Sequence, residues 1–432
     1  MADILKKRIN KSFTNNYILN FNLAIEITKK MKYKITLLII TLISLSSCST
    51  IIRNIFGNKL IDMHYAPNSQ KKLFYTEIPY KIENGFIIIK AKINNSIKDY
   101  NFIFDTGAIT MVSEKLNSEL KLENGITLVS RDINGNDVSG LSYLTTLNIG
   151  EINIENIRIN STESDLFSEK CNIKIDGIIG ANILNQGYFY FDSANKKLKI
   201  TNEVNKLPIE ILKNPIKLKR FMGQPYIKVK GNNNQWLLLD TGYADGNILL
   251  NLNSKILGKT DIPIKSKETY IKGIKEVQKI NFSIYNKKIK LGKTENLMRI
   301  IQFKKNSGNG NIGNNIIQKS DVIIDTKHKK FYISNLNLPK LNDSILNINF
   351  KYKQKVVIVS SIGINSEIQK MGIKLNDTIT KINNQSLLDL NSECEFEDFQ
   401  NKYIRKNSEL KIEYIKNNKT EIRIFSFKNL YE

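Results

Sequence analysis

The sequence predicts a mainly β protein made of two similar lobes, followed by a small α+β domain. Three observations lead to this prediction. β-branched and aromatic residues recur in short runs bounded by turn residues, which is typical of strands. The tripeptide Asp-Thr-Gly occurs twice after a short apolar run, at residues 105–107 and 240–242. From about residue 345 the spacing of apolar residues and turns changes. The repeated tripeptide indicates a duplication that brings two carboxylates together, and the later change indicates a separate domain.

An apolar segment near the N-terminus predicts an export signal. Met31 is followed by two lysines and an apolar stretch ending at residue 45, which is too short to span a bilayer. The stretch leads into Leu-Ser-Ser-Cys, with Cys48 last, and this resembles a bacterial lipobox. The resemblance implies cleavage before Cys48, a lipid anchor on its thiol, and a location in the cell envelope, at the outer membrane or facing the periplasm. We expect residues 1–47 to be leader and signal peptide with the true start at Met31. An uncleaved anchor is the alternative if residues 1–30 are translated.

The two Asp-Thr-Gly copies lie in segments of matched spacing. Asp105 precedes Gly180 by 75 residues, and Asp240 precedes Gly313 by 73 residues. In both segments Ile comes before this glycine and Asn-Ile follows one residue after it. Twelve residues beyond the glycine, each segment places an Asp, then a hairpin-like turn and an apolar end. Such self-similarity predicts two lobes of one build. The expected organisation is a linker at 48–74, a first lobe at 75–203, a second lobe at 204–338 and a C-terminal domain at 345–430.

This arrangement resembles a single-chain, two-lobed aspartic protease of the pepsin and retropepsin type. The resemblance covers about residues 75–335 and implies two β-barrel lobes with a cleft between them. It implies that Asp105 and Asp240 are the catalytic residues, sharing one proton and activating a water molecule for peptide hydrolysis. The implied substrate is a polypeptide, and neither a metal nor an organic cofactor is implied.

Eight further residues are implied to support the site. In the resembled family, threonine hydroxyls lock the two turns together, and glycines let the backbone approach and donate N–H groups to the carboxylates. An Ile-Gly pair passes behind each turn. The expected supporting residues are Thr106, Gly107, Ile179 and Gly180 in the first lobe, and Thr241, Gly242, Ile312 and Gly313 in the second.

Two residues of the second lobe depart from the family's pattern. Tyr243 follows the second tripeptide, where the family usually has a small residue. Asn311 stands where a second apolar residue is usual. An alternative therefore stays open, in which the lobes are a non-catalytic, peptide-binding scaffold and Asp105 and Asp240 are ordinary turn residues.

A flap should cover the cleft of such an enzyme and exclude water. Residues 130–135 are a hairpin-like candidate in the first lobe, and residues 270–273 are the counterpart in the second. An ordinary surface hairpin accounts for each segment equally well.

The last hundred residues resemble a PDZ domain of bacterial protease type. Residues 356–359 are predicted as a strand, Ser366 opens a short helix, and residues 396–405 form a second helix. Asn376 and Asn383 stand at turns where the family uses a left-handed backbone, which Asn tolerates. The resemblance implies an extended peptide ligand, which we expect between the 356–359 strand and the second helix. A generic α+β domain without a ligand is the alternative.

Charge and cysteine content restrict the partners. The formal net charge of +24 comes from scattered lysines, and there is no dense basic block. We interpret it as a solvated surface and expect no nucleic-acid partner; a nucleic-acid binder would instead show steeply salt-dependent retention on DNA. The three cysteines, Cys48, Cys171 and Cys394, form no CxxC, so a zinc site is not expected. Cys171 and Cys394 fall in different predicted domains, so we expect no structural disulfide.

Overall fold

The structure is a computed structural model that describes most of the chain beyond residue 71. The predicted start at Met31, the predicted lipidation site Cys48 and almost all of the predicted linker lie outside the described residues. Within the described ranges, no helix has the length and apolar character needed to cross a membrane. The described residues are 72–83, 85–123, 125–131, 137–162, 169–170, 173–221, 223–244, 248–272, 277–303, 310–334, 346–404, 409–416 and 419–426.

The first lobe consists of short strands that bury one face. Alternate side chains of its first strand are buried, as expected for a strand with one face toward the core. A short α-helix, Glu114–Leu120, begins where the Ser113 hydroxyl accepts a hydrogen bond from the Leu116 N–H. The strands are β1 Tyr75–Glu83, β2 Phe86–Ile93, β3 Tyr100–Asp105, β4 Met111–Ser113, β5 Ile126–Arg131, β6 Asp137–Ile149, β7 Ile152–Thr162, β8 Glu169–Lys170, β9 Ile173–Lys174, β10 Gly177–Gly180, β11 Tyr188–Asp192 and β12 Lys197–Thr201; α1 is Glu114–Leu120, and Ala181–Gln186 is a 3₁₀ helix.

The second lobe repeats this order. In both lobes the strand that leads to the aspartate lies parallel to the strand that leads to the later glycine. A short helix follows that glycine in each lobe, and an antiparallel hairpin follows the helix, as predicted. The strands are β13 Ile216–Phe221, β14 Gln224–Lys230, β15 Asn234–Leu239, β16 Ile248–Leu250, β17 Lys265–Lys272, β18 Val277–Leu291, β19 Thr294–Phe303, β20 Asn311–Ile312, β21 Val322–Asp325 and β22 Lys330–Ile333; the helices are α2 Ile209–Leu212 and α3 Asn315–Lys319, and Val204–Lys206 is a 3₁₀ helix.

A six-stranded antiparallel sheet joins the two lobes. Its order is β1-β12-β11-β21-β22-β13, so each lobe contributes three strands in mirrored sequence. The central pair comes from different lobes, with Phe189 opposite Ile324. Phe104 packs against Phe189 and Phe191 with ring centroids 6.0 and 5.3 Å apart, which ties the first Asp strand to this sheet. The predicted fold class, mainly β with two similar lobes, is confirmed.

The C-terminal unit is a small α+β fold with its own apolar core. Ser366 caps the short helix as predicted, since its side chain accepts a hydrogen bond from the Gln369 N–H. Asn376 and Asn383 adopt positive φ angles of 68° and 50°, also as predicted. Its elements are β23 Ile348–Lys353, β24 Val356–Gly363, α4 Glu367–Lys370, β25 Thr378–Ile382, β26 Gln385–Ser386, α5 Glu393–Tyr403, β27 Glu409–Lys416 and β28 Lys419–Ser426.

Two expectations for this unit are corrected. The second helix begins earlier than residue 396, because the Ser392 side chain accepts a hydrogen bond from the Glu395 N–H and caps the helix there. The predicted groove strand at 356–359 is also wrong. It is part of β24, which pairs with β23 on one side and with β25 on the other. Helix α5 packs against β23, for which β24 is the only strand partner within the described residues, so β23 is the edge strand beside the helix.

Strand β17 of the second lobe pairs with strand β24 of the C-terminal unit. Lys267, Glu268 and Thr269 pair antiparallel with residues 361–363 at the end of β24. The Lys267 side chain is buried at this junction. Its ammonium nitrogen donates to the Leu346 carbonyl at 2.9 Å and to the Asn349 side-chain oxygen. Burial lowers the pKa of Lys267 to about 7. The second lobe and the C-terminal unit are therefore connected by a shared sheet as well as by the chain.

The expected absence of a structural disulfide is wrong. Cys394, at the start of α5, is disulfide-bonded. The other two cysteines, Cys48 and Cys171, lie outside the described residues. The expectation depended on placing Cys171 and Cys394 in different predicted domains, whereas a disulfide requires only that two Cα atoms lie about 4.4–6.8 Å apart in the folded protein.

Candidate active site

The first Asp-Thr-Gly turn follows a largely buried strand and the second follows a partly buried strand, and a parallel strand holds each turn from behind. Asp105 ends β3 opposite Gly180 of β10, and the Asp240 N–H donates to the Ile312 carbonyl of β20 at 3.0 Å. The apolar run 102–104 before Asp105 is fully buried, which fixes where the strand ends. The matched spacing seen in the sequence thus reflects one local fold used twice.

The two threonines lock the turns together across the lobes. The Thr106 hydroxyl donates to the Leu239 carbonyl at 2.5 Å and accepts from the Thr241 N–H at 3.1 Å. The Thr241 hydroxyl donates to the Phe104 carbonyl at 2.6 Å and accepts from the Thr106 N–H at 2.9 Å. Both side chains are completely buried, so each hydroxyl satisfies two backbone groups that have no access to water.

Each glycine lies against the carboxyl group of the opposite lobe. A Cβ atom at Gly107 would stand 2.7 Å from Asp240 Oδ1, and one at Gly242 would stand 2.3 Å from Asp105 Oδ2. Each glycine N–H also donates to the aspartate of its own turn, Gly107 to Asp105 at 2.7 Å and Gly242 to Asp240 at 3.0 Å. Any larger residue at either position would separate the two turns.

The two carboxyl groups face each other where the turns meet, each beside the glycine of the opposite turn. Burial raises the pKa of Asp105, against the opposing effect of backbone N–H donors led by Gly107. Burial also raises the pKa of Asp240 well above its usual range, and the adjacent Asp105 charge raises it further. Two adjacent ionised carboxylates repel each other in a poorly solvated site. The pair is therefore expected to hold one shared proton over an extended pH range. Such a pair contains both a base for a water molecule and an acid for a carbonyl oxygen.

The predicted Ile-Gly pairs also lie where the sequence places them, behind the turns. Ile179 and Ile312 are fully buried in the common core. A Cβ at Gly180 would stand 2.4 Å from the backbone of the first turn, at the Ile109 carbonyl carbon. Gly313 is buried at the end of β20. Both pairs therefore support the turns, and neither contacts the cleft through a polar side chain.

Several polar residues around the site were not singled out as functional from sequence. Asn311 donates its side-chain N–H to Asp240 Oδ2 at 2.5 Å. Gln224 donates its side-chain N–H to the Gly107 carbonyl. The signal for Asn311 was the internal repeat, because the first lobe carries apolar Ile178 at the same distance before its glycine. Gln224 matches apolar Phe86 only through the pairing of the strands, so the sequence spacing does not reveal it. A polar residue that replaces an apolar one beside a duplicated motif indicates a new contact.

The large side chain of Tyr243 does not disrupt the backbone hydrogen bonds of the second turn. Its N–H donates to the Asp240 carbonyl at 3.2 Å, and its own carbonyl accepts from the Asn314 N–H at 3.0 Å. In the first lobe the matching bonds run from the Ala108 N–H to the Asp105 carbonyl and from the Ala181 N–H to the Ala108 carbonyl. The second turn therefore keeps the local geometry of the first despite the larger side chain.

The flap candidates are parts of hairpins. Strand β5 pairs with β6 up to Arg131 and Asp137, and β17 pairs with β18 up to Lys272 and Val277. The tips of both hairpins lie outside the described residues. Among the described residues, no group of three or more His, Cys, Asp or Glu side chains is arranged to hold a metal ion.

Comparison with known proteins identifies a family domain in the first lobe. The model of the aspartyl protease family matches residues 89–183. The match includes Asp105 and ends just beyond Gly180. The second lobe lies outside it. Among solved structures, the crystal structure of basic 7S globulin from soybean is 9% identical and covers 61% of this chain and 95% of the globulin chain, with a TM-score of 0.37. No curated protein matches the chain.

Proposed function

We propose that this protein is an aspartic endopeptidase that hydrolyses polypeptides with a water molecule activated by Asp105 and Asp240. The observation that carries the proposal is the close approach of the two carboxyl groups at the junction of the lobes, where the crossed threonine contacts hold the turns together. The ionised carboxylate takes a proton from water, and the protonated carboxyl donates to the carbonyl oxygen of the scissile bond. The family match at residues 89–183 supports a hydrolase of this type.

The proposal is tested by cleavage of an unfolded protein substrate over a pH series. Asp105→Asn and Asp240→Asn should each lower the rate by about 10²–10⁴-fold, because each removes one of the two proton-transfer groups. Both variants should keep the circular dichroism spectrum of the wild type, since Asn has the shape of a protonated Asp. Equal cleavage by wild type and variants would assign the activity to a contaminant. Absence of cleavage by the wild type at every pH would favour the non-catalytic scaffold.

The C-terminal unit is proposed to be a PDZ domain that binds an extended peptide along β23. The edge position of β23 beside α5 supports this, because an added strand needs unpaired backbone groups next to a helix-lined groove. Fluorescence anisotropy with labelled peptides ending in a free, apolar C-terminal residue tests the idea. Amidation of the peptide C-terminus should weaken binding, and equal binding of free and amidated peptides would rule out carboxylate capture.

We also propose that the protein is a lipoprotein of the bacterial cell envelope, anchored through Cys48. The lipobox-like sequence before this residue supports the proposal. Metabolic labelling with an alkyne fatty acid should mark the wild type and not Cys48→Ser, and only the wild type should sediment with membranes. Labelling of Cys48→Ser would overturn the assignment. Expression from Met31 should give a product that is cleaved before Cys48.

A further inference from the structure

We infer that Asn311 is a positioning residue that makes the two carboxyls of the dyad chemically unequal, by holding the outer oxygen of Asp240 and favouring its ionised form. The inference rests on the proposed function, because it concerns how the same pair of carboxyls works. It goes beyond the repeated motif, which by itself predicts two equivalent halves.

The first step of the argument is the identity of the oxygen that Asn311 contacts. Asp240 Oδ1 accepts from the Gly242 N–H, and it is the oxygen nearer to Gly107 of the other lobe. We call Oδ1 the inner oxygen of Asp240, because it contacts both glycine turns, and we call Oδ2 the outer oxygen. Asp240 Oδ2 accepts the Asn311 side-chain N–H at 2.5 Å, so this contact is made on the outer oxygen.

The second step is the position of Asn311 on a rigid element. It begins β20, which pairs with Leu238 on the parallel strand β15 and with Leu249 on the antiparallel strand β16. Strands on both sides fix its backbone, so its amide is aimed at the end of β15 where Asp240 lies. A donor held in this way both orients a carboxylate and stabilises its charge.

The third step is the internal comparison that the duplication provides. Position 311 matches Ile178 of the first lobe, which is buried among Ile88, Ile103 and Ile175. An isoleucine side chain has no hydrogen-bonding group, so the first lobe offers Asp105 nothing equivalent from this position. The two halves share the motif and differ in this contact.

Among the residues that the structure describes, few other titratable groups face Asp240. Asp105 faces it from β3 across the dyad. Tyr226 faces it from β14, and burial, followed by the Asp240 charge, raises the pKa of this phenol. Lys219, on β13, lies over the Tyr226 ring at 5.7 Å, one residue removed from the carboxyl. Removal of the Asn311 donor should therefore be visible as a shift of Asp240 itself.

The decisive experiment measures the titration of Asp240 without its coupled partner. In an Asp105→Asn background, the carboxyl carbon of Asp240 is followed by NMR of ¹³C-labelled aspartate against pH, with and without Asn311→Ile. Assignment comes from the peak that is absent in Asp240→Asn. Loss of a hydrogen bond to a charged oxygen should move the titration upward by about one pH unit. Asn253→Ile, the same change at an exposed residue of the same lobe, should leave it in place.

The outcomes separate this inference from the proposed function, because the titration does not depend on cleavage. No shift would overturn the inference. A downward shift would also overturn it, because it would show that the Asn311 amide oxygen accepts a hydrogen bond from protonated Asp240 and so favours the neutral form. If the wild type cleaves protein, Asn311→Ile should also move one limb of the pH–rate profile upward by about one unit, and Asn311→Ser, which keeps a donor, should move it less. A cleaving enzyme whose titration and profile both stay unchanged would retain the protease proposal and refute the role of Asn311.

Discussion

The threonine lock allows a quantitative prediction for the replacement Thr241→Val. Valine has nearly the same shape as threonine, so the change creates almost no cavity. It removes the hydroxyl that donates to the Phe104 carbonyl and accepts from the Thr106 N–H. Two buried backbone groups then lose their partners, each at a cost of about 1–3 kcal/mol. We expect Thr241→Val to lower the free energy of unfolding of the lobes by about 2–6 kcal/mol.

Urea unfolding followed by tryptophan fluorescence measures this loss where it occurs. The chain has one tryptophan, Trp236, and it lies in β15, four residues before Asp240. Thr241→Ser is the matched control, because it keeps the hydroxyl and removes one methyl group at a cost of about 1 kcal/mol. Thr106→Val should cost as much as Thr241→Val, since its hydroxyl makes the same two kinds of contact. If Thr241→Val is no less stable than Thr241→Ser, the lock does not hold the lobes together.

Two further predictions concern the close approach of the turns and the buried lysine. Gly242→Ala would place a Cβ 2.3 Å from an Asp105 oxygen, so it should lower the free energy of unfolding by about 1–3 kcal/mol and separate the two carboxyl groups. Gly140→Ala is the control in urea unfolding and in the cleavage assay, because its Cβ would meet nothing nearer than 3.3 Å. Equal effects at the two positions would contradict the steric argument. For Lys267, burial lowers the folded-state pKa to about 7, whereas the unfolded chain has an ordinary lysine pKa near 10.4. The unfolded state therefore binds more protons between these values, and wild-type stability should rise from pH 7 to pH 10 by about 1–4 kcal/mol relative to Lys267→Met. Parallel stability curves for the two proteins would show that Lys267 is charged when folded.

The sequence was sufficient to predict the lobes and the meeting of the two turns. Asp105 and Asp240 were found because local signals, an apolar run followed by Asp-Thr-Gly, were repeated at matched distances. Duplication converts a weak local motif into a long-range statement, since two copies of one fold can pair only in a limited number of ways. The capping of a helix by Ser366 and the left-handed backbone of Asn376 were predictable for a different reason. Both features depend only on neighbours within a few residues.

Features that depend on pairing between distant segments were missed. The edge strand beside α5 is β23 and not the predicted segment 356–359, which is part of β24. Strand β24 pairs with β23 on one side and with β25 on the other. The order of strands in a sheet is not encoded in any one segment alone. The bond from Asn311 to Asp240 joins residues 71 positions apart. The disulfide of Cys394 and the pairing of β17 with β24 were missed for the same reason, because both join segments that are distant in the sequence. Composition and periodicity specify what each segment buries, but not which segment it meets.

Both halves of the carboxyl pair come from one polypeptide, joined through the six-stranded sheet. In a protease assembled from two identical subunits, every mutation appears in both halves of the active site at once, so the halves must stay alike. A fused duplicate has no such restriction: an amide can be acquired beside one aspartate while isoleucine is retained at the matching place beside the other. The chain is therefore free to specialise its two acids separately, at the cost of a longer gene.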